Sequence, residues 1–141
     1  MDKSLSISEV WCNFCSMPPG WRLLPHVHED VHELYLVTKG VARARIGEDA
    51  FEGGPGDVLF HLRGLEHYPE AVGQSDLGFL HLRWVGGDAF VEQWESNPVH
   101  DRRGHVRHVL EWMLDLYPPD GPTGEEHLAN LARAVLHEVT R

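Results

Sequence analysis

A chain of 141 residues, 42% hydrophobic and 24% charged, is sized for one domain with its own apolar core. The formal net charge is −10 and the densest basic pairs are only Arg43/Arg45 and Arg102/Arg103, so this chain alone is not expected to grip a nucleic-acid backbone. MDKSLSISEV lacks the apolar stretch of a signal peptide, and no apolar run reaches the roughly 20 residues of a bilayer span, so a cytoplasmic protein with no membrane partner is expected.

Two cysteines open the chain as Cys12-Asn13-Phe14-Cys15. A redox CxxC needs a helix N-terminus to lower its thiol pKa, and Met17-Pro18-Pro19-Gly20 cannot start one. No second CxxC completes a zinc site, so both are read as ordinary thiols on an N-terminal strand.

From about Val10 to Trp84, short apolar runs are cut by glycine and proline. Leu34–Val37 ends at Lys39-Gly40, Val41–Ile46 alternates and turns at Gly47-Glu48-Asp49, and Gly53-Gly54-Pro55-Gly56 precedes Val58–Phe60. Such strands, at spacings of about 8–12 residues, predict a mainly β domain, sandwich or barrel. In the last strand, Leu77–Trp84, Phe79, His81 and Arg83 share one face and Leu80, Leu82 and Trp84 the other. The second face is apolar enough to lie under helices.

After Trp84 the character changes. Gly86-Gly87-Asp88 and Asn97-Pro98 mark residues 85–104 as a linker. Val106, Val109, Leu110, Met113, Leu114 and Tyr117 have helical spacing over His105–Tyr117, and Pro118-Pro119-Asp120-Gly121-Pro122 stops that helix. Thr123, with Glu126 three residues on, is expected to cap a second helix whose apolar face is Leu128, Leu131, Ala132, Val135, Leu136 and Val139. An antiparallel pair has one inner seam, so the remaining apolar surface must meet the β-domain or another chain.

Eleven histidines are the compositional outlier. Within His26–Glu33, eight positions carry three histidines and three acidic residues. His26 and His28, two apart, face the same way on a strand. Glu33 is an odd number of residues from His28 and needs a bend across Glu29-Asp30-Val31 to join them. His32 keeps the parity and is the rival ligand. Strand geometry alone does not choose between them. His61 and His81 are expected to be strand histidines with hydrogen-bonded partners rather than ligands.

Gly20, five residues, His26-Val27-His28, four residues, Glu33, six residues, Gly40 resembles the first cupin motif. Gly56, five residues, Leu62, then His67 resembles the second, with Leu62 in place of a usual proline and Ala71 in place of a usual asparagine. The motifs cover Gly20 to about Ala71. The resemblance implies a cupin, jelly-roll-like β-barrel in which His26, His28, Glu33 and His67 converge on one divalent transition metal: Zn, Ni, Fe or Mn.

HELYLVTKGVARARIGEDAFEGGPGDVLFHLRGLEHYPEA and the strand and helices after it are similar to the N-terminal sensing domain of AraC-type transcription regulators. That resemblance implies a barrel over 1–84, a linker over 85–104, and a two-helix dimerisation tail over 105–141. It also implies a small polar effector and a homodimer with Leu131 and Val135 at or near the interface. Nothing in the chain matches the DNA-binding half. Tyr35, Tyr68, Phe79, His81 and Arg83 are the candidate pocket residues. The alternative is a small metal-dependent cupin enzyme, of dioxygenase or isomerase type, with a metal-free storage or scaffold cupin ranked last.

Overall fold

The computed structural model describes residues 6–92, 94 and 97–140. In chain order the elements are β1 (Ile7–Met17), β2 (Val31–Lys39), β3 (Val41–Ile46), β4 (Asp49–Gly53), β5 (Asp57–His61), β6 (His67–Val72), β7 (Leu77–Gly86), α1 (Asp88–Val91), β8 (Val99–His100), α2 (His105–Leu116) and α3 (Gly121–Val139). The strands form two antiparallel sheets, a five-stranded one in the order β1-β7-β2-β5-β8 and a three-stranded one in the order β4-β3-β6. This is the mainly β, jelly-roll-like architecture expected, with C-terminal helices, built as two facing sheets rather than a closed barrel.

Alternation along the strands builds two cores. Leu34, Leu36, Phe60, Leu80, Leu82 and Trp84 face the helices, where they meet Val106, Leu110, Met113, Leu128, Ala132, Val135 and Leu136. Tyr35, Val37, Leu59 and Phe79 face the small sheet and meet Ala42 and Ala44. Strand β2 is therefore buried continuously from His32 to Val37. The expected placement of Leu80, Leu82 and Trp84 under the helices holds.

The small sheet is widened by the irregular segment ahead of β2. Leu23 N–H donates to the Pro69 carbonyl, Ala71 N–H to the Trp21 carbonyl, and His26 and His67 exchange backbone hydrogen bonds of 3.0 and 2.9 Å. Between β2 and β3, Gly40 turns the chain with φ +75°, and a Cβ there would collide with the Asp76 carbonyl oxygen.

Residues 85–104 are more than a linker. α1 and β8 lie within them, and β8 pairs with β5 through Asp57↔His100 and Val58↔Val99. The Asn97 side chain continues the coverage, donating to the Phe60 carbonyl at 3.3 Å and accepting from Phe60 N–H at 3.4 Å. Trp94 stacks on Phe60 with ring centroids 3.9 Å apart. The stretch thereby covers the edge of β5, which would otherwise be open to pairing.

The Asp101 carboxylate accepts the Val106 and Arg107 N–H groups that begin α2. α3 starts earlier than the expected Thr123 cap. Asp120 is its N-cap, Pro122 sits in its first turn, and no side chain caps it. Proline suits that turn because its φ is preset and its missing N–H would have had no partner there. Leu131 and Val135, expected at a dimer seam, are buried in this chain's own core, Val135 completely. The large sheet presents an unbroken apolar face, and α3 spends its stripe on it. No helix among the described residues is long and apolar enough to cross a membrane.

Leu136 is fully buried between α3 and the large sheet. Leu136→Ala is expected to lower the unfolding free energy by about 2–5 kcal/mol, read by urea denaturation followed by circular dichroism. A change below about 1 kcal/mol would mean that α3 contributes little to the domain core.

Candidate metal centre

The site is assembled from the two histidine segments by backbone first. The reciprocal His26–His67 bridge fixes these two residues side by side. His28 is two residues on, and its carbonyl accepts the Gly64 N–H at 2.8 Å, which ties it to the loop before β6. A bend at Glu29-Asp30 then separates this segment from β2. That bend changes the parity, and Glu33 rather than His32 turns inward.

His32 lies on the opposite face against Trp84, with ring centroids 5.5 Å apart. Its Nδ1 accepts the Arg63 backbone N–H at 3.1 Å, so its proton is on Nε2, which donates to Asp88 Oδ1 at 2.8 Å. Burial holds its pKa below the ordinary value despite the Asp88 contact. The rivalry left open by strand spacing is thus resolved: Glu33 joins the cluster, while His32 links β2 to α1.

One ligand atom from each of His26, His28, Glu33 and His67 lies within 4.8 Å of all the others. His26 Nδ1 is 2.7 Å from the Leu24 carbonyl and His67 Nδ1 is 2.9 Å from the Leu65 carbonyl. A carbonyl only accepts, so both rings carry their proton on Nδ1 and keep the Nε2 lone pair for another partner. Yet His67 Nε2 lies 3.2 Å from Glu33 Oε2, and His28 Nε2 lies 3.7 Å from Glu33 Oε1. A lone pair facing a carboxylate oxygen requires either a proton or a cation between them. The donor set, three imidazoles with one carboxylate, fits a divalent transition metal. The backbone bonds to Nδ1 supply the orientation that metal-ligating histidines usually have.

Glu33 is 4% exposed. Burial pushes its carboxyl up, but the contacts from His67 and His81 and the surrounding positive groups outweigh this and hold it well below the usual carboxylate range. The carboxylate lies within a row that crosses four strands. Trp11 of β1 pairs with Arg83 of β7, Arg83 with Glu33 of β2, and Glu33 with His61 of β5. The adjacent inward row is Asn13, His81, Tyr35 and Leu59. Arg83 Nε and His81 Nε2 lie 3.3 and 3.4 Å from Glu33 Oε1.

Of the expected pocket residues, Tyr35, Phe79, His81 and Arg83 are brought together on this inner face. Tyr35 O–H contacts Glu33 Oε2 at 3.5 Å and His61 Nδ1 at 2.7 Å, and Phe79 packs on the Tyr35 ring. Tyr68 is not among them. His67 points inward, so its neighbour points out, and Tyr68 lies under the Arg45 guanidinium beside the Arg43, Arg45 and Glu70 ion pairs. His61 has the hydrogen-bonded partner expected of it, but its ring also lies 4.3 Å from that of His67, inside the cluster. Trp11 is an addition that depends on β1–β7 register and had no local signal. Cys12 and Cys15 face opposite cores, and burial raises the Cys12 thiol to about 11, so the CxxC is not a redox pair.

Residues 13–83, half the chain, match the Cupin_2 cupin domain family. The chain is a member of the cupin family. No curated protein matches it. Among solved structures it is similar to the cupin domain of Schizosaccharomyces pombe Cnp3, with 10% identity, TM-score 0.53, and 60% of this chain and 62% of that one covered. A cupin protein from Bacteroides fragilis aligns at 22% identity and TM-score 0.52, covering 57% of this cupin and 69% of that chain. A Thermus thermophilus protein aligns at 20% identity and TM-score 0.51, covering 57% and 85%. These likenesses concern the fold. The aligned part spans about three-fifths of the Cnp3 domain.

Burial, with the charges of the neighbouring histidines, depresses His61 from 6.5 to about 3. The unfolded chain therefore binds a proton below about pH 6.5 that the folded cupin refuses until about pH 3, so stability falls as the pH is lowered through that window. Glu33, with its depressed pKa, acts in the same direction below its ordinary 4.5. In chelator-treated protein, His61→Phe is expected to lessen the loss of stability between about pH 6.5 and pH 5, by up to about 1.4 kcal/mol per pH unit, in urea titrations. An unchanged pH slope would mean that His61 is already protonated in the folded state.

Proposed function

We propose that this cupin is a small-molecule-sensing module built around one divalent transition metal, corresponding to the effector-binding and dimerisation half of an AraC-type regulator. The observation that carries the reading is the four-ligand cluster with two imidazole tautomers already set by backbone carbonyls. His26, His28, Glu33 and His67 would hold the metal, which when bound supplies a Lewis-acid position for an oxygen ligand. Zn, Ni, Fe and Mn all accept this donor set.

Strand β7 supports sensing. Its His81 and Arg83 reach Glu33 on one face, while Leu80, Leu82 and Trp84 belong to the core under α2 and α3 on the other. A ligand held on the inner face thus presses on the same strand that carries the helices. The rival reading, a metal-dependent dioxygenase or isomerase, is favoured by the buried Tyr35–His61 pair beside Glu33, which could hold or move a proton at Tyr35 Oη. Turnover of a small acid or sugar by the metal-loaded protein would select the enzyme, and saturable binding without turnover the sensor.

A homodimer belongs to the sensing reading. Leu131 and Val135 are committed to the chain's own core, which leaves Trp112 of α2, 47% exposed, as a large apolar side chain for a helical interface. The charge of −10 accords with a chain that contacts no nucleic acid by itself.

As purified, the protein is expected to carry about one divalent transition metal per chain, and His28→Ala to lose most of it, by elemental analysis. Absence of metal together with no uptake of added Zn or Ni would refute the metal centre. Sedimentation is expected to give a dimer for the wild type and a folded monomer for Trp112→Glu; a monomeric wild type at micromolar concentration would remove the dimer from the proposal.

A further inference from the structure

We infer that a ligand held on this inner face carries a carboxylate seated on Arg83 and His81, with an apolar, flat body against Trp11. The inference deepens the sensing reading and rests on it for the site, although its chemistry comes from separate residues.

The first reason is a mismatch of donors and acceptors. Nitrogen atoms of five residues, His28, His61, His67, His81 and Arg83, lie within 3.9 Å of the two Glu33 oxygens. His67 Nε2 presents a lone pair and His61 Nδ1 is already engaged with the Tyr35 hydroxyl, so the mismatch lies with Arg83 Nε and His81 Nε2, which both approach the same oxygen, Oε1. Arg83 Nε and His81 Nε2 are in fact buried nitrogens without a hydrogen-bond partner, despite their proximity to Glu33. Buried polar atoms of this kind call for an acceptor.

Charge gives the second reason. Glu33 and Arg83 alone balance. A divalent cation on neutral histidines would leave the pocket two charges positive, and a low-dielectric site favours an anion under those conditions.

Position is the third reason. Along the row, exposure rises from 0% at the His61 side chain to 5% at Glu33 and 36% at Arg83. Along this row the solvent-accessible end is therefore Arg83. The Arg83 guanidinium carbon lies 5.2 Å from the Trp11 ring centroid, which steadies the side chain and sets an aromatic wall beside the seat. A planar guanidinium fork on an aromatic face suits a bidentate carboxylate attached to a flat body.

The test is calorimetric binding of benzoate, its neutral isostere benzamide, and phenyl phosphate to wild type, Arg83→Met and Arg83→Lys. Metal content is measured on each sample, and circular dichroism verifies folding. Wild type is expected to prefer benzoate over benzamide by at least about tenfold, the scale of one charge-assisted hydrogen bond. Arg83→Met should abolish the preference, and Arg83→Lys should retain part of it and so guard against a folding defect in the first variant. Equal affinity for benzoate and benzamide in the metal-loaded protein would overturn the inference and leave the metal centre standing. A preference for phenyl phosphate would overturn the carboxylate assignment. If no metal is taken up but an Arg83-dependent preference for benzoate persists, the seat stands and the metal reading falls. If neither is found, both fall.

Discussion

The architecture depends on keeping one ionised carboxylate, that of Glu33, inside a small β-sandwich. A buried charge is costly unless it is paired and hydrogen-bonded. Here it is surrounded from several directions: His28 and His67 from the two motif segments, His61 from β5, and His81 and Arg83 from β7. Removing any one of these elements would leave part of that charge uncompensated. Four of the chain's eleven histidines, His28, His61, His67 and His81, lie within 3.9 Å of the Glu33 oxygens.

The surrounding fold serves to hold these contacts in register. Strand β2 contributes Glu33 and Tyr35 inward and Leu34 and Leu36 outward, and β7 contributes His81 and Arg83 inward and Leu80, Leu82 and Trp84 outward. The polar row is thus pinned by the apolar core immediately behind it. α2 and α3 are part of this clamp rather than an appendage, because the large sheet would otherwise expose its outer apolar face to water. His32, on the outward face, adds a polar tie through Asp88 to α1, and Arg63 joins the same carboxylate.

Membership of the cupin family accounts for the sandwich. It does not by itself account for the inner-face row Trp11, Arg83, Glu33 and His61, which belongs to the pairing of β1, β7, β2 and β5 in this chain. That row and the one beside it hold buried nitrogens without a hydrogen-bond partner: His61 Nε2, His81 Nε2 and Arg83 Nε.

Much was legible in the amino-acid order. Alternating apolar residues and glycine turns were enough for a β-domain, helical spacing for α2 and α3, and the two motifs for His26, His28, Glu33 and His67. Parity along β7 already separated Phe79, His81 and Arg83 from Leu80, Leu82 and Trp84, because a strand's two faces are a local property. The same parity argument, applied to Tyr68 beside the inward His67, would have placed it outside. What the order could not decide was which element lies across from which. Only sheet register sets Trp11 beside Arg83 and His61 beside Glu33. Only packing commits Leu131 and Val135 to the chain's own sheet instead of a second copy, since an apolar stripe carries no label for its partner. The bend at Glu29-Asp30 turns Glu33 inward and His32 outward, as the motif implied and as strand parity, a property of a straight strand, could not decide.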